Sequence, residues 1–244
     1  MSETQENVEA SDPAASPLAR VAGVFGSPGP TFESIARRPS WLLPIVISTV
    51  LSIAATAAIV PRMDFDTAVR EAFAKRGISA PEERIERTVE VQKKFAGFFA
   101  YVWALFAGAL VALVLATVFW ISFKAFGWDL AFRQSFGVTA HALLPYIGAT
   151  MLLILFVTRL DLVNPADLGD LTHANLGFLV DRHANPVLNS IARSIDVFTL
   201  WVLALLVIGF AAAAKVPRRK AAILIVSLWG IYALGKAGWT AIFH

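Results

Sequence analysis

Residues 95–123 read FAGFFAYVWALFAGALVALVLATVFWISF, with Lys93 and Lys94 before them and Lys124 after. The stretch contains no charged residue and no proline. A helix at home in water keeps one polar face, and this one has none. It is also longer than the roughly 20 residues that cover a hydrocarbon core. It therefore crosses a bilayer, either tilted or with its first turns outside.

Working outward, four more apolar blocks share this character. They run over about 41–60, closed by Pro61 and Arg62, and about 135–158, between Arg133 and Arg159. The last two run over about 197–214, between Asp196 and Lys215, and about 221–243, after Arg218, Arg219 and Lys220. Amides in lipid must bond within their own segment or within a closed barrel. The alternating ten-residue strands of a barrel are missing, so each block reads as a helix. The fold class is all-α: a polytopic transmembrane helical bundle of about five spans, with short amphipathic surface helices. Trp41, Trp128 and Trp239 fall near span ends, as interfacial tryptophans do.

Composition agrees. Of 244 residues, 57% are hydrophobic and 16% charged, where a soluble domain carries about a quarter charged. The net charge of +3 is small, and no basic stripe interleaved with aromatics appears, so nucleic acid is not an expected partner. With no cysteine there is no disulfide framework, thiolate metal site or cysteine nucleophile. The first residues, MSETQENVEASDPAAS, are acidic and polar, the reverse of a secretory leader. Residues 1–17 are expected to be a disordered, uncleaved cytoplasmic tail, and 18–244 a membrane domain.

Two connections have content of their own. Residues 62–94 are highly charged, with Phe65, Val69 and Phe73 on one helical stripe and a break at Gly77. Ser79-Ala80-Pro81-Glu82 has the spacing of a capping box. The helix after it carries Ile85 and Val89 on one face and merges into the second span. Two solvated helices lying on the bilayer surface are the expectation here, rather than a dedicated binding arm. Residues 159–193 are rich in turn formers, and the apolar insert Leu176–Val180 is expected to pack back onto the bundle.

The loop Lys215-Val216-Pro217-Arg218-Arg219-Lys220 holds four cations and no acid, which places it in the cytoplasm. Arg20, Arg37, Arg38, Lys124 and Arg133 agree. The tally for residues 62–94 and 159–196 runs the other way, and the compact cluster is taken to decide. The N-terminus is then cytoplasmic and the C-terminus outside, in the plasma (inner) membrane.

Ionisable groups within spans are the natural functional candidates. Lys236 lies in the fifth span, about 12 Å from the C-terminus at 1.5 Å per residue. Asp196 opens the fourth span on the same side. Lys236 snorkels, pairs with Asp196, or forms part of a transport or lipid-headgroup site. His141 stands four residues before Pro145, which removes the amide that would bond the carbonyl of residue 141. A neutral histidine there suits a structural bond better than proton transfer. No HExxH motif or Cys/His cluster accompanies it, so no metal and no cofactor is expected. The Gly26–Pro30 turn lacks the lysine of a phosphate loop, and no serine sits in a nucleophile elbow. No enzymatic site is expected. Ala112 with Ala116, and Ala233 with Ala237, suit close helix packing, although chance in an alanine-rich chain would place them equally well.

The stretch Val24-Phe25-Gly26-Ser27-Pro28-Gly29-Pro30-Thr31-Phe32-Glu33-Ser34-Ile35, followed by Arg38-Pro39 and a span, resembles the entry of bacterial Yip-family proteins. These are relatives of the eukaryotic Ypt/Rab-GTPase-interacting proteins. His141-Ala142-Leu143-Leu144-Pro145 is similar to that family's histidine–proline segment. Asn175–Leu179 and Ser194–Trp201 resemble its late loop and fourth span. The resemblance, over about residues 20–242, implies a five-helix membrane domain with a cytoplasmic N-terminus. No segment matches a GTPase-binding element, so that function is not implied.

The functional expectation is a non-enzymatic scaffold, adaptor or membrane-organising protein. Its contacts would be the acidic tail, the Leu18–Phe25 segment and the helices at 64–94. The alternative is a small transporter or lipid-translocating protein, with His141, Pro145 and Lys236 lining a path. Expected partners are the lipid bilayer and either another membrane protein or a second copy.

Overall fold

A computed structural model describes residues 16–165, 168, 175–181 and 184–243. The helices are α1 (Pro17–Gly26), α2 (Pro28–Arg37), α3 (Leu42–Ile59), α4 (Phe65–Lys75), α5 (Glu82–Ala125), α6 (Phe132–Ala142), α7 (Tyr146–Val157), α8 (Pro186–Ala192), α9 (Val197–Ala213) and α10 (Arg218–Phe243). No strand forms among the described residues. Four stretches are long and apolar enough to cross a membrane: Leu42–Arg62, Glu82–Ala125, Phe132–Val157 and Arg218–Ile242. Most of their apolar side chains face outward, as lipid-solvated helices require.

The expected fourth span, α9, has only 17 residues, or about 25 Å. Its shortfall is made up by α8. Thr240 Oγ1 lies 3.3 Å from Ser190 Oγ, and Lys236 Nζ reaches Ser194 Oγ at 3.4 Å. Four residues forward from Ser190 match four back from Thr240, so α8 runs antiparallel along α10 just as α9 does. Together α8 and α9 make one interrupted pass. Among the described residues the chain thus passes end to end five times: α3, α5, α6–α7, α8–α9 and α10. At one end Gln134 Nε2 donates to Ala36 O at 2.9 Å, and Trp41 packs on Phe136. At the other, Asp64 N–H donates to Val163 O at 2.9 Å and Val163 N–H to Arg62 O at 2.7 Å.

The core lies toward the first end, where the α1–α2 hairpin tucks against α6 and α9. Phe210 packs its ring 4.9 Å from both Phe119 and Phe123. Gly209 lets α9 approach closely: a Cβ there would fall 2.5 Å from Val138 Cγ1 and 2.7 Å from Phe32 Cδ1. Ala112 and Ala116 are fully buried, and Ser135 Oγ donates to Ala116 O at 2.7 Å, so helix contact is the role they take.

Ser16, which the sequence reading gave to the tail, caps α1 by accepting from Ala19 N–H at 3.1 Å, and Pro17 opens that helix. The rest of the expected tail, residues 1–15, lies outside the described residues.

α5 is a single helix of 44 residues, about 66 Å long against a hydrocarbon core of about 30 Å. Its charged first turns therefore stand outside the bilayer, as the sequence implied. α4 docks on them: Phe65 and Val69 bury against Ile85 and Val89. Asp64 caps α4, accepting from Thr67 N–H at 3.0 Å and from its hydroxyl at 2.7 Å. Those bonds, the backbone one first, hold its carboxyl below the ordinary value. Arg70 bridges the helices, donating to Glu82 with both terminal nitrogens and through Nε to Asp66 Oδ1 at 2.6 Å. Glu82's carboxyl is pushed down by that bond, and Arg70's guanidinium is pushed up.

The capping box expected at Ser79–Glu82 does not form. Helix α5 starts at Glu82 with Pro81 as its cap residue, so Ser79 stands too far upstream, and Arg70 takes the glutamate. The Leu176–Leu179 turn does anchor to α8, through Asn189 Nδ2 donating to Gly177 O at 2.9 Å and Val180 O at 2.7 Å. Its backbone makes the contact, while Leu176, Phe178 and Leu179 point outward.

Candidate functional site: a polar layer at two helix breaks

The third span is broken at its centre. Pro145 supplies no N–H, and the carbonyl of His141 is met instead by Leu144 N–H at 3.2 Å. The chain tightens into i→i+3 bonds over residues 143–148, with Tyr146 N–H to Leu143 O at 3.1 Å and Ile147 N–H to Leu144 O at 2.9 Å. The fourth pass breaks at residues 193–196. There Asp196 adopts an extended backbone and caps α9, its Oδ1 accepting from the Phe198 and Thr199 amides, each at 2.9 Å.

The two breaks lie side by side. Phe198, two residues past the second break, packs on Gly148, where a Cβ would meet its ring at 2.8 Å. Tyr146 OH stands 3.0 Å from Thr199 Oγ1, whose hydroxyl donates to Asp196 Oδ2. Thr199 has one hydroxyl proton and gives it to the carboxylate, so Tyr146 is the donor to Thr199. The relay Tyr146 → Thr199 → Asp196 ties α7 to α9 within the bundle. On the far side of the break, Ser194 Oγ accepts from Lys236 while donating to Ser190 O at 3.0 Å.

Of the residues the sequence singled out, Pro145, Asp196 and Lys236 flank this layer, and His141 does not. His141 is 1% exposed in the core, its Nδ1–H donating to Gly137 O at 2.9 Å. Its Nε2 and the hydroxyl oxygen of Thr139 are buried without partners among the described residues. The ion pair between Lys236 and Asp196 is not formed. Asp196 turns into its own helix to cap it, and the lysine meets Ser194 two residues earlier. Tyr146, Thr199, Ser190, Ser194 and Thr240 were missed by sequence reasoning. The four-residue spacings of Ser190/Ser194 and of Lys236/Thr240 carried the signal, but only once α8 is known to lie along α10. No cluster of three or more potential metal ligands occurs among the described residues.

Residues 22–239 match the Yip1 domain. The chain belongs to that family. This Yip1-domain protein is also 25% identical over 230 residues to "Membrane protein YknW" of Bacillus subtilis (strain 168), an alignment covering 93% of this chain and 92% of that one. No solved structure matches it. Family, relative and helices together make it a membrane protein whose apolar helices contact the lipid bilayer.

Proposed function

We propose that this Yip1-domain protein is a non-enzymatic scaffold or adaptor of the bacterial plasma (inner) membrane, holding a membrane protein or a second copy of itself beside the bilayer. One observation carries this reading: the polar groups at the helix breaks are taken up by one another, while the α4–α5 arm stands outside the bundle with charged side chains turned to solvent. Asp196 caps its helix, Lys236 holds Ser194, and His141 is sealed away from both, so no shared path joins them. The arm instead offers Lys75 and Arg87 to solvent, and Glu71, which also accepts from Asn164 Nδ2 at 3.3 Å, on a framework stiffened by Arg70. Residues 18–244 act as one membrane unit with 1–17 as an appended cytoplasmic contact. Its N-terminus is cytoplasmic and its C-terminus outside, a sidedness supported by the loop 215–220 sharing an end with Arg37, Lys124 and Arg133.

Photo-crosslinkers placed at Glu71 or Lys75 should give a discrete protein adduct in cells, and the adduct should vanish when Val69→Asp undocks α4. Crosslinks to lipid alone would overturn the proposal. The adjacent helix breaks favour one second reading, translocation of a lipid or small solute, since interrupted helices expose backbone polarity at membrane depth. Under that reading Lys236→Met abolishes flux in proteoliposomes, and unchanged flux rejects the site.

A further inference from the structure

Away from the helix breaks, α2, the end of α9 and the start of α10 enclose a cleft of about 200 Å³. Its floor is apolar, made by Ile208, Ala211, Ala212 and Val216. Its two charged walls are Glu33 and Arg218. Gly29 makes room for the arginine: a Cβ at that position would lie 3.8 Å from Arg218 Nη2. Both charged side chains are exposed, and neither makes an ion pair among the described residues. Opposite charges face one space without closing it, above a floor that continues into a membrane helix.

The positive wall is reinforced. Arg218, Arg219 and Lys220 occupy the first turn of α10, the positive end of the helix dipole. Like charges gathered at that end repel one another until an anion joins them. Glu33, however, makes the cleft a poor site for a ligand that is only anionic. What complements both walls is a molecule carrying phosphate and ammonium together, with apolar chain beyond.

We infer that the cleft binds the headgroup of an aminophospholipid, with its phosphate on Arg218 and its primary ammonium on Glu33. The first methylenes lie along Ile208, Ala211 and Ala212. A primary ammonium donates hydrogen bonds to the Glu33 carboxylate, whereas the trimethylammonium of a choline lipid has no N–H to give. A lipid is the source because the cleft opens where α9 and α10 end, at the level of the headgroups. There even a weak site stays occupied.

The test uses the full chain reconstituted in nanodiscs holding equal phosphatidylethanolamine, phosphatidylcholine and phosphatidylglycerol, released into native mass spectrometry. Wild type should retain the ethanolamine lipid about tenfold over the choline lipid, the discrimination expected from one charge-assisted hydrogen bond. Glu33→Gln should bring that ratio near one. Arg218→Gln should weaken both lipids, and Ala212→Leu, which fills the floor and leaves the charges, should displace both. An unchanged elution profile on size exclusion establishes that each variant is folded. Three results overturn the inference: phosphatidylglycerol retained above the ethanolamine lipid by wild type, a lipid preference untouched by Glu33→Gln, or soluble phosphoethanolamine binding as tightly as the lipid. None of these readouts depends on the scaffold reading, whose crosslinks come from the opposite end of the bundle.

Discussion

At the scale of single residues, the buried polar atoms of α6 give the sharpest expectations. Thr139 and His141 each bury an atom that finds no partner among the described residues, and an apolar replacement of similar shape removes that penalty. Thr139→Val and His141→Leu should leave the melting temperature in detergent unchanged or raise it, by up to about 1 kcal/mol of stability. A marked loss would mean that those atoms have bonding partners in the membrane. Gly209 is the opposite case. Gly209→Ala inserts a methyl against Val138 and Phe32, and overpacking of this kind costs about 1–3 kcal/mol. Thermal unfolding should register that drop, while the same change at Gly238, which faces open space, should not lower stability. The sequence placed His141 and Lys236 at their depths through spacing alone. Their partners were illegible, because Ser194 approaches Lys236 only through the packing of a helix the sequence does not announce.

Among the elements, the α4–α5 arm separates apolar from ionic contributions. Exposed ion pairs are weak holders, so Arg70→Ala should loosen α4 only slightly, whereas Val69→Asp should release it. Hydrogen exchange of the α4 amides would read both. The sign of the pH effect follows from the direction of the shift. Glu82's carboxyl is lowered in the fold by Arg70, so its contribution is complete above the ordinary glutamate value of about 4.3. It is lost as pH falls through the lowered value. Protection of α4 should therefore be level from neutrality to pH ~5 and decline only in stronger acid. Pro145→Ala restores an amide to bond the carbonyl of His141, so α6 and α7 should straighten into one helix and draw Tyr146 from Thr199. Spin-label distances across the break would show whether they do. The break at Pro145 was legible because a proline's missing donor is written in the sequence. Helix α8 was not, since seven residues opened by a proline within a turn-rich stretch have the composition of a loop.

At the scale of the whole molecule, an odd number of passes predicts termini on opposite sides of the bilayer. Sidedness reporters at each end should answer from different compartments, the N-terminal one from the cytoplasm. Two reports from the same side would contradict the count. All five apolar blocks were recognisable because an uncharged run of sufficient length has no other solvent than lipid. The fourth pass was seen only as α9, since α8 carries Asn189 and Ser190 and is followed by Ser194, which a hydropathy reading assigns to water. Partners on the last turns of α10 for the two serines, and the carbonyls of Gly177 and Val180 for Asn189, explain how such residues sit at that depth.

The unbroken run of α5 from Glu82 to Ala125 has a mechanical consequence. A rod without a hinge transmits torque, and α4 gives it a handle at one end. Anything that grips the handle and swings it also swings the ridge of Ala104, Ala112 and Ala116 against its neighbours in the bilayer. The arm is thus a lever with its fulcrum at the membrane surface.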